Sequence, residues 1–136
     1  MQKRFLIIGG FSGAIAVALG AMAAHFLKSK IETGLITETN IQTFETAARY
    51  QMYHSIALLA VALLSLQIKS KLLNWAGYCF IIGIIFFSGS LYLLSTSGLM
   101  GLTNVIWLGP ITPLGGLFFI TGWLLLALLG IRTTNS

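Results

Sequence analysis

Most of the side chains that could do chemistry fall in one short segment near the middle of the chain. Positions 49 to 54 read Arg-Tyr-Gln-Met-Tyr-His, and a hydrophobic run follows them directly. An ionisable group at bilayer depth is costly, so such groups usually face a bundle interior or a water-filled cleft. We therefore expect a functional site, if the protein has one, around Arg49 and His54.

The polar residues of this segment occupy two adjacent faces of the predicted helix. Residues four apart lie one turn apart, which places Glu45, Arg49 and Tyr53 on one face and Tyr50 and His54 on the next. The arc at positions 44, 48 and 52 is apolar. We predict that the polar arc points inward and that the apolar arc contacts lipid. The spacing also permits an ion pair between Glu45 and Arg49.

Each ionisable residue has a structural and a functional interpretation. Arg49 either pairs with Glu45 or extends to headgroups, or it binds an anion or a lipid headgroup. His54 either forms hydrogen bonds inside the bundle or carries protons, since the unperturbed pKa of histidine is about 6.5. His25 is read as an interfacial residue. Because a third ligand for a His25 and His54 pair is missing, we predict no metal site and no cofactor.

Composition indicates an integral membrane protein with a single domain over residues 1–136. The chain is 57% hydrophobic and only 8% charged, whereas soluble domains are about 25% charged. The net charge of +5 is explained by membrane topology, so we expect no nucleic-acid partner. We also find no catalytic constellation and expect no enzymatic activity.

Four segments are apolar enough, at about 20 residues, to cross a bilayer as helices. They cover residues 5–27, 47–68, 72–94 and 114–131, which predicts an all-α bundle of four transmembrane helices. Basic residues cluster on the side that holds both termini, and all three acids fall on the other side. By the positive-inside rule, both termini are cytoplasmic.

Further polar residues fall at the outer ends of the predicted spans. They are His25, Ser88, Ser90, Tyr92, Asn104, Trp107 and Thr112. We predict that they meet the Arg49 to His54 segment in one layer at the outer end of the bundle. The candidate ligand-binding residues are His25, Glu45, Arg49, Tyr50, Tyr53, His54, Ser90, Trp107 and Thr112.

The segment before the fourth span contains two prolines and three glycines between residues 109 and 116. Proline removes a donor and clashes with the preceding turn, so we predict that this segment is not a regular helix. Pro113 is expected in the first turn of span four, where its missing N–H costs nothing. Two interpretations stay open: a rigid interfacial loop, or a lid over the layer of Arg49 and His54.

Small residues and a capping motif supply two more local predictions. Positions 9, 12, 13, 16, 20 and 24 of span one carry Gly, Ser or Ala at helical spacing. This pattern favours close helix packing, either within the chain or in a dimer. Residues 39–42 fit a capping box, so we expect the helix of span two to start near Asn40 with Gln42 at its third position.

Several motifs, in the same order along the chain, resemble the domain of unknown function 423 family. This family comprises small bacterial inner-membrane proteins with relatives among small eukaryotic transmembrane proteins. The motifs are Gly20-Ala21-Met22-Ala23-Ala24-His25, Phe44-Glu45-Thr46, Arg49-Tyr50-Gln51-Met52-Tyr53-His54, Phe87-Ser88-Gly89-Ser90-Leu91-Tyr92, residues 108–116 and Gly122-Trp123. The resemblance implies a four-helix protein of the bacterial inner membrane, and it implies no activity.

The functional expectation therefore comes from the residues. We expect a non-enzymatic membrane module that binds a lipid, a quinone or a similar amphiphile at the outer polar layer, or that acts as an accessory subunit of a membrane complex. Its partners would be membrane lipids and either a larger membrane complex or further copies of itself. The alternative is a small transporter or proton-conducting protein that uses Arg49, Glu45, His54 and His25.

Overall fold

The computed structural model describes residues 2–134, and all regular elements in that range are helical. Four of the helices are followed or preceded by short turns of other helical types. The elements are α1 (Gln2–Met22) with a π-helical turn (Ala23–Leu27) and a 3-10 turn (Lys28–Thr33), α2 (Glu38–Leu64), α3 (Lys71–Gly83) joined through a π-helical turn (Ile84–Ser88) to α4 (Gly89–Thr96), a 3-10 turn (Ile106–Leu108), and α5 (Ile111–Thr134). The predicted all-α class is confirmed.

These elements form four continuous helical rods: α1 with its two turns, α2, α3 with α4, and α5 with the turn before it. Three of the four rods are long and apolar enough to cross a membrane. They are Lys3–Thr33, Lys71–Thr96 and Ile106–Thr133. The fourth rod, α2, has the length, since 27 residues rise about 40 Å. Its N-terminal half carries Glu38, Glu45 and Arg49, so its composition sets it apart from the other three.

Helix α2 is the central helix of the bundle. It packs along α1 and also contacts α3, the Ile84–Ser88 turn and α4, while α5 packs mainly on α3. Its buried residues include both apolar and polar side chains, among them Phe44, Gln51, His54 and Leu58. A central helix faces protein on several sides, so its polar groups can find partners away from lipid.

The apolar core is divided between the two ends of the bundle. One cluster, near the chain termini, is built around Phe5, Leu58, Leu73 and Phe80. The other lies at the opposite end and includes Ala23, Leu27, Ile36, Ile41 and Phe44. Between the two clusters, α2 carries the buried polar side chains of Gln51, His54 and Ser55.

Small residues allow α1 to approach α2 closely over the first half of the predicted stripe. A Cβ added at Gly9 would lie 3.0 Å from both Leu59 Cδ2 and the Ser55 carbonyl oxygen. Ser12 and Ala16 are buried, whereas Gly20 has open space around it and Ala24 is exposed. The packing of this half of the stripe is therefore intramolecular.

The start of α2 differs from the predicted capping box. The helix begins at Glu38, and its N-cap is Thr37, not a residue of the 39–42 motif. The Asn40 N–H donates to Thr37 Oγ1 at 3.2 Å, and the Thr37 N–H donates to Asn40 Oδ1 at 3.0 Å. The prediction was wrong by two residues because Asn40 replaces the Glu or Gln that usually completes such a box.

The helix that carries the second predicted span, residues 47–68, stops before the end of that span. Helix α2 ends at Leu64, and residues 65–70 form the turn to α3. Ser70 caps α3 by accepting the Leu72 N–H at 3.2 Å. Helix α2 therefore starts at its Thr37 cap and stops four residues before the predicted end of the span, where the chain turns toward the Ser70 cap of α3.

The prediction that residues 109–116 cannot form a regular helix is wrong from Ile111 onward. Helix α5 begins at Ile111 and includes Pro113 in its first turn, as predicted for that proline. The first N–H groups of a helix have no intrahelical acceptor, so Pro113 removes none of the helix's own hydrogen bonds. Of residues 109–116, only Gly109 and Pro110 lie outside the helix.

Candidate functional site

His54 is a buried histidine whose two ring nitrogens both have partners. It is 4% exposed. Its Nδ1 lies 2.7 Å from the Tyr50 carbonyl oxygen, and the Trp123 indole N–H donates to its Nε2 at 3.1 Å. A carbonyl only accepts, so Nδ1 carries the proton and Nε2 is the acceptor. The contacts therefore select one neutral tautomer.

Aromatic rings close the space around the His54 imidazole. The ring stacks on Phe119 with centroids 3.4 Å apart and planes 5° apart. Phe80 and Tyr50 lie at 5.5 Å and 6.2 Å between centroids. A proton on Nε2 would face the Trp123 N–H and break that hydrogen bond. The geometry is that of a histidine with hydrogen bonds inside the bundle. It matches the structural interpretation of His54 and not the proton-carrier interpretation.

A buried polar network next to His54 joins three helical rods. The Gln51 amide N–H donates to the Ser12 carbonyl oxygen at 2.9 Å, and the Tyr92 hydroxyl donates to Gln51 Oε1 at 2.7 Å. The Ser55 hydroxyl lies 2.7 Å from the Gln51 carbonyl oxygen and 2.8 Å from Ser12 Oγ. Within residues 2–134, every fully buried side-chain N or O atom that can be described has a partner. Such a network links α1, α2 and α4.

Gln51 is the residue that sequence reasoning passed over. It lies inside the segment at positions 49–54, yet the predicted site was built on Arg49 and His54 because those side chains can ionise. A neutral amide that offers two donors and an acceptor is suited to a buried crossing point of helices. The available signal was the match in helical register between Gln51 and Ser55 on the same face.

The predicted orientation of α2 is wrong in its N-terminal half. Phe44 and Ala48, expected toward lipid, are 2% and 6% exposed, whereas Arg49 is exposed and Tyr53 is 51% exposed. The small and apolar face packs on neighbouring helices because it permits close contact. Arg49, Tyr50 and Tyr53 remain exposed.

The ion pair that the spacing permits between Glu45 and Arg49 does not form among residues 2–134. Glu45 is half-buried and Arg49 is exposed. Two side chains four apart can reach each other, but an exposed pair gains little from doing so. Arg49 is therefore free to extend toward headgroups.

The single polar layer expected at the outer end is split over two depths. Ser12 of α1 is level with Gln51 and Ser55 of α2. Those two residues are within one helical turn of His54. His25 lies 13 residues beyond Ser12 along the same rod, which corresponds to roughly 20 Å. His25 is exposed, so it does not join His54. In the described part of the chain, no group of three potential metal ligands occurs.

Three other predicted site residues do come together, at a cleft beside the Ile106–Leu108 turn. The Ser90 and Thr112 hydroxyl oxygens are 2.6 Å apart, which ties α4 to the start of α5. Beside them is a cavity of about 410 Å³ with Ser90, Tyr92 and Trp107 in its wall. Trp107 is 60% exposed, and its indole N–H donates to the Asn104 carbonyl oxygen at 3.0 Å. We call this cavity the Trp107 cleft.

A second groove follows the bilayer-facing side between α1 and α3. Its volume is about 360 Å³, and its wall is made of isoleucines and Phe11. Ser12 and Gln51 are its polar lining residues, and both belong to the buried network. This groove offers an apolar surface to lipid chains without a free polar anchor.

The fold and the apolar rods define an all-helical membrane protein. The chain belongs to the DUF423 family, described as "Protein of unknown function", whose model matches residues 19–116. The resemblance inferred from the sequence motifs is confirmed.

Three similar proteins are described as membrane proteins. A UPF0382 membrane protein of Staphylococcus epidermidis is 42% identical over 131 residues, covering 96% of this chain and 98% of its own. The UPF0382 membrane protein YwdK of Bacillus subtilis is 37% identical over 132 residues, with the same two coverages of 96% and 98%. One from Haemophilus influenzae is 41% identical over 128 residues, with 93% of each chain covered. No solved structure matches the chain significantly.

Proposed function

We propose that the protein is a non-enzymatic module of the bacterial inner membrane that binds an amphiphile, such as a lipid or a quinone, in the Trp107 cleft. In this proposal all four rods cross the bilayer, and both termini are cytoplasmic. The observation that carries it is the cleft itself, an apolar cavity at one end of the bundle with the Trp107 indole in its wall and the Ser90 and Thr112 hydroxyl pair beside it.

The size and lining of the Trp107 cleft suit an amphiphile. Its volume of about 410 Å³ lies within the range of about 300 to 1,000 Å³ typical of ligand pockets. Ile85, Phe86, Leu93 and Ile111 line it, and they would contact the apolar part of a ligand. Such a lining offers little to a strongly hydrated solute.

Polar groups at the cleft are few and fixed in position. Ser90 is 3% exposed, and its hydroxyl lies between the Thr112 hydroxyl and the Phe87 carbonyl oxygen. A few fixed polar groups in an apolar wall orient a ligand without making the site hydrophilic. The Trp107 indole at the rim has an apolar face for a headgroup or a quinone ring.

The backbone around the cleft supports the same proposal. Residues 102–105 and the Ile106–Leu108 turn are not α-helical. Non-helical backbone near a membrane is tolerated where it is buried in protein or lines a cavity. Here the Ile106–Leu108 turn forms one wall of the cleft. This corresponds to the lid interpretation, except that Ser90 and Thr112 lie beneath the lid and not Arg49 and His54.

Crossing of the membrane by α2 is supported by its place among the other rods. It lies between α1 and the α3–α4 rod, and its length matches theirs. Its basic C-terminal neighbours, Lys69 and Lys71, lie at the same end as Lys3. That distribution favours a cytoplasmic location for this end.

A filled cleft provides the test. Gly89 lines the cleft, and a Cβ added there would meet nothing within 4 Å. Gly89→Leu should fill the space without disturbing the helix. Gly10→Leu is the matched control, because Gly10 also has nothing within 4 Å, is exposed, and lies outside the cleft.

The full chain would be extracted in mild detergent, and its co-purified lipids and proteins identified by mass spectrometry. We expect a retained amphiphile in the wild type and in Gly10→Leu, and its loss from Gly89→Leu. Equal retention in all three proteins would contradict the cleft as the site. A stoichiometric protein partner with no retained amphiphile would instead favour the accessory-subunit role.

A further inference from the structure

We propose that the end of the bundle near the chain termini binds the headgroup of an anionic phospholipid, at a site separate from the Trp107 cleft. The site is a cavity of about 600 Å³ between the start of α1 and the turn that joins α2 to α3. Three lysines line it together with three neutral polar residues. They are Lys3, Lys69, Lys71, Ser65, Ser70 and Asn74.

Among residues 2–134, the positive charge of this cavity has no nearby acidic side chain. The chain contains three acids, Glu32, Glu38 and Glu45. The nearest along α2, Glu45, precedes Ser65 by 20 residues, or about 30 Å of helix. Charges further apart than about 10 Å are largely screened at ordinary ionic strength. The three lysines therefore present an uncompensated charge that an anion would neutralise.

Neutral donors in the same cavity add hydrogen bonds to this charge. The Asn74 side chain is half-buried and forms no hydrogen bond with another residue of the described chain. Ser70 caps α3, so the positive end of the α3 dipole also points toward the cavity. An amide donor, a helix N-terminus and three ammonium groups together match a phosphate group.

A second, smaller cavity explains why a lipid fits better than a free anion. It measures about 210 Å³ and is lined by Lys71, Asn74, Trp75 and Tyr78, so it shares two residues with the first. Trp75 is 62% exposed, and its ring meets Tyr78 edge-on at 6.4 Å between centroids. Exposed Trp and Tyr are typical of the level at which headgroups meet acyl chains.

These two cavities give the proposed orientation of the lipid. Its phosphate lies among the three lysines, and the start of an acyl chain runs past Trp75 and Tyr78 along α3. A zwitterionic lipid would bring its own cation to the lysines. Selectivity for net negative lipids follows from that repulsion.

The test measures lipid binding to the full chain in detergent by native mass spectrometry. Dilauroyl phosphatidylglycerol and dilauroyl phosphatidylcholine would be titrated separately. We expect the wild type to prefer phosphatidylglycerol. The variant K3Q/K69Q/K71Q should lose that preference, with affinity falling about fivefold for each lysine removed.

Arg4→Gln is the matched control, because it removes the same charge one residue from Lys3 and does not line the cavity. We expect it to keep the preference. An equal loss in Arg4→Gln would show a diffuse surface effect and overturn the site. Unchanged binding in K3Q/K69Q/K71Q would also overturn it.

Two further measurements keep the result decisive. Inorganic phosphate at low millimolar concentration should not displace the phospholipid, and full displacement would show a free-anion site and overturn the lipid assignment. Lys69→Gln alone should keep the fold, since Lys69 is exposed in the turn. It should weaken phosphatidylglycerol binding about fivefold, so any folding defect of the triple variant does not decide the outcome.

Discussion

The indole N–H of Trp123 donates a hydrogen bond to Nε2 of His54 across 3.1 Å. The two residues lie on α5 and α2, which are not main packing partners. Phe80 of α3 lies within 5.5 Å of both rings, measured between centroids. The contact therefore connects three rods at one level of the bundle and fixes the protonation state of the buried histidine.

Trp123→Phe should destabilise the protein, because it leaves Nε2 of His54 without a donor. We expect a loss of about 0.5–2 kcal/mol, the range of side-chain hydrogen bonds within membranes. The double variant H54F/W123F should lose less than the sum of the single changes, since it removes both partners. Trp75→Phe is the control, because Trp75 is 62% exposed.

Unfolding can be followed through the chain's own cysteine. Cys79 is the one cysteine of the sequence, and it is buried and free. A thiol-reactive fluorophore therefore reports when heating opens the bundle. Equal unfolding temperatures for Trp123→Phe and the wild type would contradict the prediction, and the same assay serves each variant below.

Gln51→Leu should destabilise the protein by about 1–3 kcal/mol, the cost of leaving buried partners unsatisfied. The Tyr92 hydroxyl would lose its acceptor, and Ser12 would lose its amide donor. Gln42→Leu makes the same substitution on the same helix at an exposed position. It should stay within about 0.5 kcal/mol of the wild type, and equal effects of the two variants would argue against the network.

Adjacent glycines of α5 should respond in opposite directions to alanine. A Cβ at Gly115 would collide with the backbone of Phe87, so Gly115→Ala should cost about 1–3 kcal/mol as the rods separate. At Gly116 the nearest atom to a Cβ is Phe87 Cδ2 at 3.8 Å, an ordinary contact. Gly116→Ala should therefore be neutral or stabilising by up to about 1 kcal/mol. Similar unfolding temperatures for the two variants would rule out the close approach of α5 to Phe87.

The cap of α2 distinguishes the observed start of the helix from the one predicted. Thr37→Ala removes the side chain that accepts the Asn40 N–H, and it should cost about 1 kcal/mol. Thr39→Ala changes the residue that opened the predicted motif, which lies inside the helix and is exposed. It should have no destabilising effect, because alanine is the better helix former. A larger loss in Thr39→Ala would restore the motif at 39–42.

Arg49→Ala should leave stability within about 0.5 kcal/mol of the wild type, as expected for a surface substitution. Arg49 is exposed, and no ion pair with Glu45 forms in the described chain. The measurement is the Cys79 reactivity assay, with Gln51→Leu as the destabilised reference. Strong destabilisation by Arg49→Ala would mean that Arg49 is paired in the membrane after all.

The sequence by itself determined the membrane class, the helical rods and the family. Long apolar segments must be helical in lipid, since each backbone N–H and C=O needs a partner within the segment. The first half of the glycine and serine stripe of α1, from Gly9 to Ala16, and the place of Pro113 followed from local rules of the same kind. Such properties depend on neighbours along the chain and can be read without knowing the fold.

Only the tertiary structure decided which side of α2 faces the protein. Helical periodicity groups Arg49 with Tyr53 and Phe44 with Ala48, but it does not say which group is inside. Close packing on α1 and α4 selected the small and apolar face, together with Gln51 and Ser55, because those side chains permit contact and satisfy one another. Likewise, the depth of His54 relative to His25 depends on how α1 and α2 are aligned, and that alignment is set by contacts between residues far apart in the chain.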